Sequence, residues 1–359
     1  ELSRKEGGKI FGSGSRTPIS ITLLVKNPEV QTEKAIIHYH DIGDYLKREK
    51  KLTIISNAKS IQGPIEWKTI KPNKEGDWIN QRNMLFDTFL PMAPKKKFNL
   101  SCQSFFTTYA VGINTARDAW AYNFSRNGIV SNMTRMIDYY NAERIRLHEE
   151  LSINQTQKPL KILGRDTKLI SWSVNLTKDA LRNTELSFNP EVITQSSYRP
   201  FTKEYLYFDR SLIERPGQNP KFFPNQDAEN FVICVSPSQN DGIAVLITDK
   251  IANLHFNGDS QCFPLYYFES QEKSSPSLFS VFEENEYIQQ DGISDFILHR
   301  AINAYGKNVG KEDIFYYVYG ILHSQDYRDT FENDLKKMLP RIPLVDSVKD
   351  FWAFSKAGR

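Results

Sequence analysis

The sequence predicts an α+β fold with a β-rich centre and a helical last third. Two apolar runs, residues 231–235 and 243–248, are short and unbroken, as strands of a packed sheet usually are. Apolar residues recur at helical spacing over residues 129–151, which predicts a long amphipathic helix. From residue 293 onward the pattern is helical again. These observations predict a central β region flanked by helices.

The remaining elements are shorter. Residues 19–25 form a nearly continuous apolar run, which predicts a strand buried on both faces. Residues 104–124 alternate well enough for strands, with a turn near Asn114. Ser324 is placed to cap a helix that Pro340 ends. Further predicted elements are strands over 35–39, 169–174, 205–208 and 263–268, and helices over 41–51, 176–183, 293–305 and 312–323.

Composition excludes two broad classes. Of the 359 residues, 40% are hydrophobic and 25% are charged, which argues against both a disordered chain and a membrane protein. No apolar run approaches the roughly 20 residues of a membrane-spanning helix. The net charge of +3 is weak support for a polyanionic partner, although a local basic patch would still bind one. Because the first residue is Glu1, we expect a fragment of a longer chain.

The thiols and imidazoles do not form a recognisable metal motif. Cys102, Cys234 and Cys262 have no metal-ligand spacing and lie in apolar sequence, so we expect buried free thiols in a reducing cytoplasm. His38 and His40 share one strand face without a further ligand nearby in sequence. We therefore predict no metal site.

Three catalytic motifs are absent from the sequence. It contains no Asn-Pro-Pro-Tyr or Asp-Pro-Pro-Tyr tetrapeptide, no phosphate-binding Gly-x-x-x-x-Gly-Lys-Ser/Thr loop and no Gly-x-Ser-x-Gly elbow. We accordingly name no catalytic residue and expect no cofactor bound by this chain. Whether the chain is itself an enzyme stays open.

Several segments together resemble the single-chain type ISP restriction-modification enzymes. The order of these segments along the chain carries the resemblance, since no single one is a catalytic signature. The segments are 9–28 (KIFGSGSRTPISITLLVKNP), 38–46 (HYHDIGDYL), 112–125 (GINTARDAWAYNFS), 170–174 (ISWSV), 198–201 (YRPF), 212–216 (LIERP), 263–268 (FPLYYF) and 313–345 (DIFYYVYGILHSQDYRDTFENDLKKMLPRIPLV).

The resemblance implies a domain order and a parent enzyme. Residues 1–60 would be the tail of an α/β adenine methyltransferase core, followed by a mixed target recognition domain. Within it, 61–190 would be mixed α/β, 191–272 the β-rich DNA-reading region and 273–359 a helical region. The implied partners are double-stranded DNA and the methyltransferase core of the same polypeptide. S-adenosylmethionine would serve the parent enzyme, which also carries nuclease and helicase-like parts.

Two polar loops after the central apolar runs have the residue types that read base edges. Amide side chains pair with adenine, and cationic side chains pair with guanine. Hydrophilic turns use the same residues, so this pattern alone also fits plain surface loops. With the resemblance, the predicted base-reading residues are Ser236, Ser238, Gln239, Asn240, Lys250, Asn253, His255, Asn257 and Gln261.

Other charged residues have different predicted roles. Phosphate contacts are predicted for Lys95, Lys96, Lys97 and Arg135. Structural ion pairs are predicted for Arg117 with Asp118, for Arg199 and for Arg215.

Two alternatives to base reading remain at this level. One is a structural coupling module of the same enzyme. The other is a subunit of a methyltransferase whose catalytic part lies in another chain.

Overall fold

A computed structural model describes residues 19–29, 35–95, 103–153, 158–238, 242–270 and 287–359. The chain divides into two compact units, Glu1–Arg82 and Asn83–Arg359. Among the described residues, no helix is both long and apolar enough to cross a membrane.

The helices and strands are numbered here in chain order. The helices are α1 (Arg48–Ala58), α2 (Asp118–Ala121), α3 (Arg126–Ile153), α4 (Pro159–Ile162), α5 (Val174–Leu181), α6 (Asn219–Phe222), α7 (Asp295–Tyr305), α8 (Lys311–His323), α9 (Gln325–Thr330), α10 (Glu332–Leu335) and α11 (Val348–Gly358). The strands are β1 (Ile37–Tyr39), β2 (Lys68–Ile70), β3 (Leu90–Pro91), β4 (Ala110–Val111), β5 (Tyr122–Asn123), β6 (Ile193–Arg199), β7 (Thr202–Tyr207), β8 (Val232–Ser238), β9 (Gly242–Thr248), β10 (Ile251–Ala252), β11 (Gln261–Pro264), β12 (Tyr266–Ser270), β13 (Tyr287–Asp291) and β14 (Arg341–Ile342).

The first unit contains α1 and the antiparallel ribbon of β1 and β2. The strand predicted over 19–25 is wrong: the segment is irregular, and its apolar side chains are exposed, Leu24 to 90%. No strand in the described part of the chain pairs with it, so the apolar run has no sheet to join. The helix predicted over 41–51 begins later, at Arg48, and ends at Ala58.

A four-stranded antiparallel sheet in the order β4-β11-β8-β9 forms the middle of the second unit. It separates two apolar clusters, because successive side chains of a strand point to opposite faces. Val232 and Cys234 enter one cluster, while Ile233 and Val235 enter the other. The unbroken apolar run at 231–235 is therefore explained by burial on both faces.

The first cluster is completed by a second sheet and the long helix. This sheet has the order β10-β6-β7-β5, with β10 parallel to β6. Helix α3 packs against β7 and α5 and buries Met133, Met136 and Tyr140. The amphipathic helix predicted over 129–151 is confirmed and extends slightly at both ends.

The second cluster is completed by the C-terminal helices. Helix α11 packs closely on α8, and the rings of Tyr305 and Phe351 stack with centroids 4.2 Å apart. The predicted cap at Ser324 is confirmed, since its side chain accepts a hydrogen bond from the Tyr327 amide. The helix that follows breaks at Phe331 into α9 and α10.

The predictions for residues 169–174 and for the cysteines can also be compared with the structure. The strand expected over 169–174 is wrong, because this stretch is turn and coil ending at Ser173, which caps α5. Cys234 and Cys262 are buried free thiols, as predicted, whereas Cys102 lies outside the described residues. Burial raises the pKa of the Cys234 thiol.

Glu143 forms a buried polar centre on α3. Its carboxylate accepts hydrogen bonds from Arg146 (Nε to Oε1 3.1 Å) and from the Gly164 amide (2.5 Å). Burial acts to raise the pKa of Glu143, but these hydrogen bonds outweigh it, so the pKa lies below its ordinary value of 4.5. A carboxyl group with a lowered pKa stabilises the fold above pH 4.5, and that contribution is lost as pH falls through the folded-state pKa.

We expect Phe263→Ala to lower the free energy of unfolding by about 3–5 kcal/mol, because it leaves a cavity in the second cluster. The Phe263 ring is fully buried and lies 5.1 Å, centroid to centroid, from that of Phe106. Urea unfolding of the chain measures the change, and Phe124→Ala at an exposed ring is the control, with an expected effect within about 0.5 kcal/mol. Equal losses in the two variants would contradict the packing described.

Glu143→Gln is expected to lower the free energy of unfolding at pH 7 by about 1.5–3 kcal/mol, since it replaces charge-assisted hydrogen bonds. The difference from the original chain should shrink as pH falls below 4.5, where the carboxyl group becomes protonated. Urea titrations at several pH values test this, with the exposed Glu149→Gln on the same helix as control. A difference independent of pH would show that the carboxylate charge is not what stabilises the fold.

Candidate nucleic-acid interface

The tip of the β6–β7 hairpin holds an exposed aromatic ring in an unusual backbone conformation. Pro200 and Phe201 form the two-residue turn, and Phe201 has a φ of 62° and is 97% exposed. Proline followed by a residue with positive φ is the pattern of a type II turn, where glycine or asparagine is usual at the second position. The side chain of Phe201 therefore projects from a turn that its own residue type disfavours.

A polar network that is partly buried holds the hairpin tip in place. The Arg199 Nη1 donates to Asn253 Oδ1 (2.9 Å) and to the Tyr198 carbonyl (2.6 Å), and its guanidinium lies 4.0 Å from the centroid of the Tyr198 ring. The Asn253 Nδ2 donates to Tyr122 Oη (3.2 Å). Burial raises the pKa of the Tyr122 hydroxyl, which therefore stays protonated. The network links the hairpin to β5 and to the loop after β10.

That loop, residues 253–260, is organised by its own polar side chains. The Asn257 Nδ2 donates to the carbonyls of Cys234 (2.8 Å) and Ala244 (3.2 Å). The hydroxyls of Ser236 and Ser260 donate to the carbonyl and the Oδ1 of Asn257. These bonds tie the loop to both strands of the β8–β9 hairpin.

The loop also lies directly on the segment before α2. The Ile113 amide donates to the Ala252 carbonyl (2.9 Å), and the Leu254 amide donates to the Ile113 carbonyl (2.8 Å). A Cβ at Gly112 would come within 2.4 Å of the Asn253 carbonyl oxygen, so only glycine permits this approach. The loop is thus fixed on two sides.

The hairpin tip, the loop and β9 surround a cavity of about 450 Å³, which we call the hairpin groove. It is lined by Pro200, Ile243, Ala244, Val245, Leu246, His255, Phe256, Asn257, Gly258 and Arg328. Its apolar floor comes from β9, and its polar groups come from His255, Asn257 and Arg328. A second cavity of about 180 Å³ lies on the other side of His255.

Arg328 is the cation of the hairpin groove. It lies on α9, and its Nη2 donates to the Ile243 carbonyl at 2.5 Å. In the part of the chain that the structure describes, no carboxylate lies within 4.0 Å of this guanidinium. Its remaining donors and its charge are therefore available to an acidic ligand in the groove.

Lysines flank the hairpin on the other side. Lys203 lies 3.0 Å from Asp249 Oδ1, and Lys250 lies 3.5 Å from Asp249 Oδ2. Burial acts to raise the pKa of Asp249, but the two lysines outweigh it and the pKa lies below its ordinary value. One carboxylate thus serves two ammonium groups, which leaves a net positive charge at this edge.

The structure changes the interpretation of three predicted base-reading residues. Ser236 and Asn253 are 1% exposed, and Asn257 is engaged with backbone carbonyls on both sides. Their side chains hydrogen-bond to buried or partly buried groups of the loop, of β8 and β9 and of Tyr122, which favours a structural role over base reading. A base contact would leave those buried groups without partners.

The other predicted base-reading residues differ in position. His255 reaches the surface, with Nδ1 3.4 Å from Asp259 Oδ1, and lines both cavities. Lys250 and Gln261 are partly exposed. Gln239 and Asn240 lie outside the described residues, as does the side chain of Ser238.

The predicted phosphate contacts are not brought together with the groove. Lys95 and Arg135 are both exposed, Arg135 on α3. No hydrogen bond or ion pair joins either described side chain to a residue lining the groove. Lys96 and Lys97 lie outside the described residues.

Arg117 is buried as expected, but its partners are not those predicted. Its guanidinium donates to the Leu212 carbonyl and to Ser173 Oγ (2.7 Å), while Asp118 accepts a hydrogen bond from Thr115. Burial lowers the pKa of Arg117 to about 10, and the charge of Glu214 opposes that shift. The expected Arg117–Asp118 pair is therefore replaced by a hydrogen-bonded arginine.

The two arginines that precede prolines also differ from expectation. Arg199 makes hydrogen bonds and a ring contact in place of an ion pair. Arg215 bridges Asn114 through its backbone, with its amide donating to the Asn114 carbonyl at 3.0 Å, and its side chain is exposed. Neither guanidinium forms an ion pair with a carboxylate in the described part of the chain, so the expected ion pairs are not formed there.

Two residues of the site were missed from sequence. Phe201 belongs to the segment Tyr198-Arg199-Pro200-Phe201, in which Pro200 already indicates a turn. Arg328 lies in a helix far along the chain, and no local pattern connects it with the β9 strand. Within the described residues, no group of three or more His, Cys, Asp or Glu side chains is placed to hold a metal ion.

Comparison with known proteins defines the class. The model of the Type ISP C-terminal specificity domain family matches residues 104–359, which is more than half of the chain. The chain belongs to this family, and the resemblance noted from its sequence is confirmed. A search of curated proteins found no match.

Solved structures of longer enzymes share the fold. A nuclease-deletion mutant of the Type ISP restriction-modification enzyme LlaGI in complex with a DNA substrate mimic matches with 35% identity and a TM-score of 0.79 over all of this chain and 25% of its own. The ATP-dependent Type ISP enzyme LlaBIII bound to DNA matches with 31% identity and a TM-score of 0.73 over 91% of this chain and 20% of its own. The DrdV–DNA complex matches with 25% identity and a TM-score of 0.73 over 90% and 30%. This chain thus spans less than a third of each of these proteins.

Asn257→Ala is expected to lower the free energy of unfolding by about 1–3 kcal/mol, because it leaves the carbonyls of Cys234 and Ala244 without their donor. Urea unfolding measures the loss. Asn127→Ala, at an exposed amide without a hydrogen bond in the structure, is the matched control and should change stability by about 0.5 kcal/mol or less. A neutral Asn257→Ala would return this residue to the candidates for base reading.

Proposed function

We propose that this chain reads a specific sequence in double-stranded DNA as the target recognition part of a restriction-modification enzyme. Membership of the specificity domain family supports this role. So do the DNA complexes of LlaGI and LlaBIII, whose folds it shares. The proposal applies this role to the surface around the hairpin groove.

One observation favours the hairpin groove as the surface that faces DNA. The hairpin groove combines a rigid frame with a cation. Partly buried hydrogen bonds fix the loop and the hairpin, and Arg328 has no acidic partner in the described part of the chain. Sequence reading needs side chains held at fixed positions, and binding needs positive charge near the phosphates. The groove supports both requirements.

The residues divide by role. His255, Lys250 and Gln261 are proposed to contact base edges. Ser238, Gln239 and Asn240 keep the same proposed role from the sequence. Arg328 is proposed to contact a phosphate, and Lys95, Lys96, Lys97 and Arg135 keep the same proposed role elsewhere. Arg117, Asp118, Arg199 and Arg215, with Ser236, Asn253 and Asn257, hold the frame.

The parent enzyme is proposed to methylate adenine at the recognised site, to cleave unmethylated DNA and to work in the cytoplasm. S-adenosylmethionine would supply the methyl group. The Asn-Pro-Pro-Tyr or Asp-Pro-Pro-Tyr tetrapeptide, which would hold the target adenine, is absent from the sequence, and the two cavities described above are lined by the hairpin tip, the loop 253–260, β9, Arg328 and the segment 113–118. No step of methyl transfer is assigned to this chain.

The chain is expected to select one sequence from a pool of random duplexes, since base contacts discriminate by about 1–3 kcal/mol each. Repeated capture and sequencing of the bound duplexes measures this. His255→Ala should relax the preference at one position of the selected site. A chain that binds without enriching any sequence, or does not bind, would instead support a structural coupling role.

Arg328→Ala is expected to weaken binding to selected and unrelated duplexes alike, because a phosphate contact carries no sequence information. The slope of log affinity against log salt concentration should fall by about 1. Arg300→Ala, at an exposed arginine that does not line the groove, is the matched control. An unchanged slope for Arg328→Ala would remove this residue from the interface.

A further inference from the structure

The ring of Phe201 has no role in the frame described above. In the part of the chain that the structure describes it is 97% exposed, and it occupies a left-handed backbone position that favours glycine or asparagine. A conformation disfavoured by its own residue type persists only where the surroundings enforce it, and such positions concentrate at functional sites. The enforcing contacts are visible: Pro200 sets the turn, and Arg199 is tied to Asn253.

The surroundings of the ring favour a nucleic acid over a flat protein surface. Protein-binding surfaces are usually contiguous apolar patches. Here a single ring stands beside the groove that contains Arg328 and His255. Two residues further along the chain is Lys203, which shares a carboxylate with Lys250. A lone apolar side chain among cationic groups is the arrangement with which proteins enter the base stack of DNA.

We propose that Phe201 is a wedge that inserts into the base stack of the bound duplex and unstacks one step. The proposal rests on the proposed function, because it requires that the hairpin groove faces DNA. Phosphate contacts around the groove position the duplex, and the fixed turn presents the ring without ordering a loop on binding. The ring then takes the place of a neighbouring base on one side of the opened step.

Three proteins test the wedge, two variants and the original chain. Phe201→Asn removes the ring and suits the left-handed conformation, so its free energy of unfolding should equal or exceed that of the original chain. Phe201→Trp keeps an aromatic ring at the tip. The original chain is the third, and the probe is the duplex selected from the random pool, with 2-aminopurine replacing one purine at a time.

With the original chain, 2-aminopurine fluorescence is expected to rise at one step of the selected duplex, because unstacking relieves quenching of this base. Phe201→Asn should lose the rise and bind about ten- to a hundredfold more weakly. Phe201→Trp should keep both the rise and most of the affinity. In an unrelated duplex, 2-aminopurine fluorescence should not rise at one fixed step.

The outcomes separate the two proposals. If the original chain selects a sequence but Phe201→Asn binds and unstacks it equally well, the wedge is overturned while the recognition function stands, and the ring faces another protein surface. If affinity falls in Phe201→Asn but no step fluoresces with the original chain, the ring contacts DNA outside the stack and the wedge is likewise overturned.

If the original chain selects no sequence, the proposed function fails first. A Phe201→Asn chain that unfolds more easily would make the ring a structural element and overturn the wedge.

Discussion

Burial of the β4-β11-β8-β9 sheet on both faces is the constraint on which the second unit depends. Antiparallel sheets commonly keep one face in water, but here the strands alternate between two apolar clusters. A polar side chain placed in the middle of such strands would lose its hydration without compensation, which costs free energy. Polar residues that meet a ligand are therefore expected at strand ends and in connecting loops, and the hairpin groove lies along the edge strand β9, between such loops.

The same constraint explains the asparagines. Loops that cross the end of a doubly covered sheet carry backbone groups into partly buried positions, and those groups need partners. Asn257 satisfies two carbonyls of neighbouring strands, and Asn253 joins an arginine to a tyrosine hydroxyl. An asparagine amide is therefore as well suited to these partly buried hydrogen bonds as to pairing with adenine. The residue type alone does not separate the two roles.

The elements that could be predicted from the sequence are those whose formation depends on a local residue pattern. The runs at 231–235 and 243–248 and the helix α3 were predicted because each carries a long, consistent pattern. The run at 169–174 has strand-like composition, yet Ile170 is buried in coil, and the Trp172 indole donates to the Gly164 carbonyl at 2.8 Å. A strand requires a neighbour to bond with, and the presence of that neighbour is not a property of the segment.

The candidate site was predicted less well, because its decisive properties are relations between distant segments. Arg328 meets the Ile243 carbonyl across 85 positions of sequence, and its lack of an acidic partner in the described chain has no local signal. For Phe201 the ordinary expectation is misleading, since aromatic side chains usually fill cores. The ring lies at the tip of the hairpin turn, is 97% exposed and belongs to neither apolar cluster. Because Arg199 and Asn253 fix that turn before any ligand arrives, the ring is held in place in advance, and binding need not supply the ordering free energy of a mobile loop.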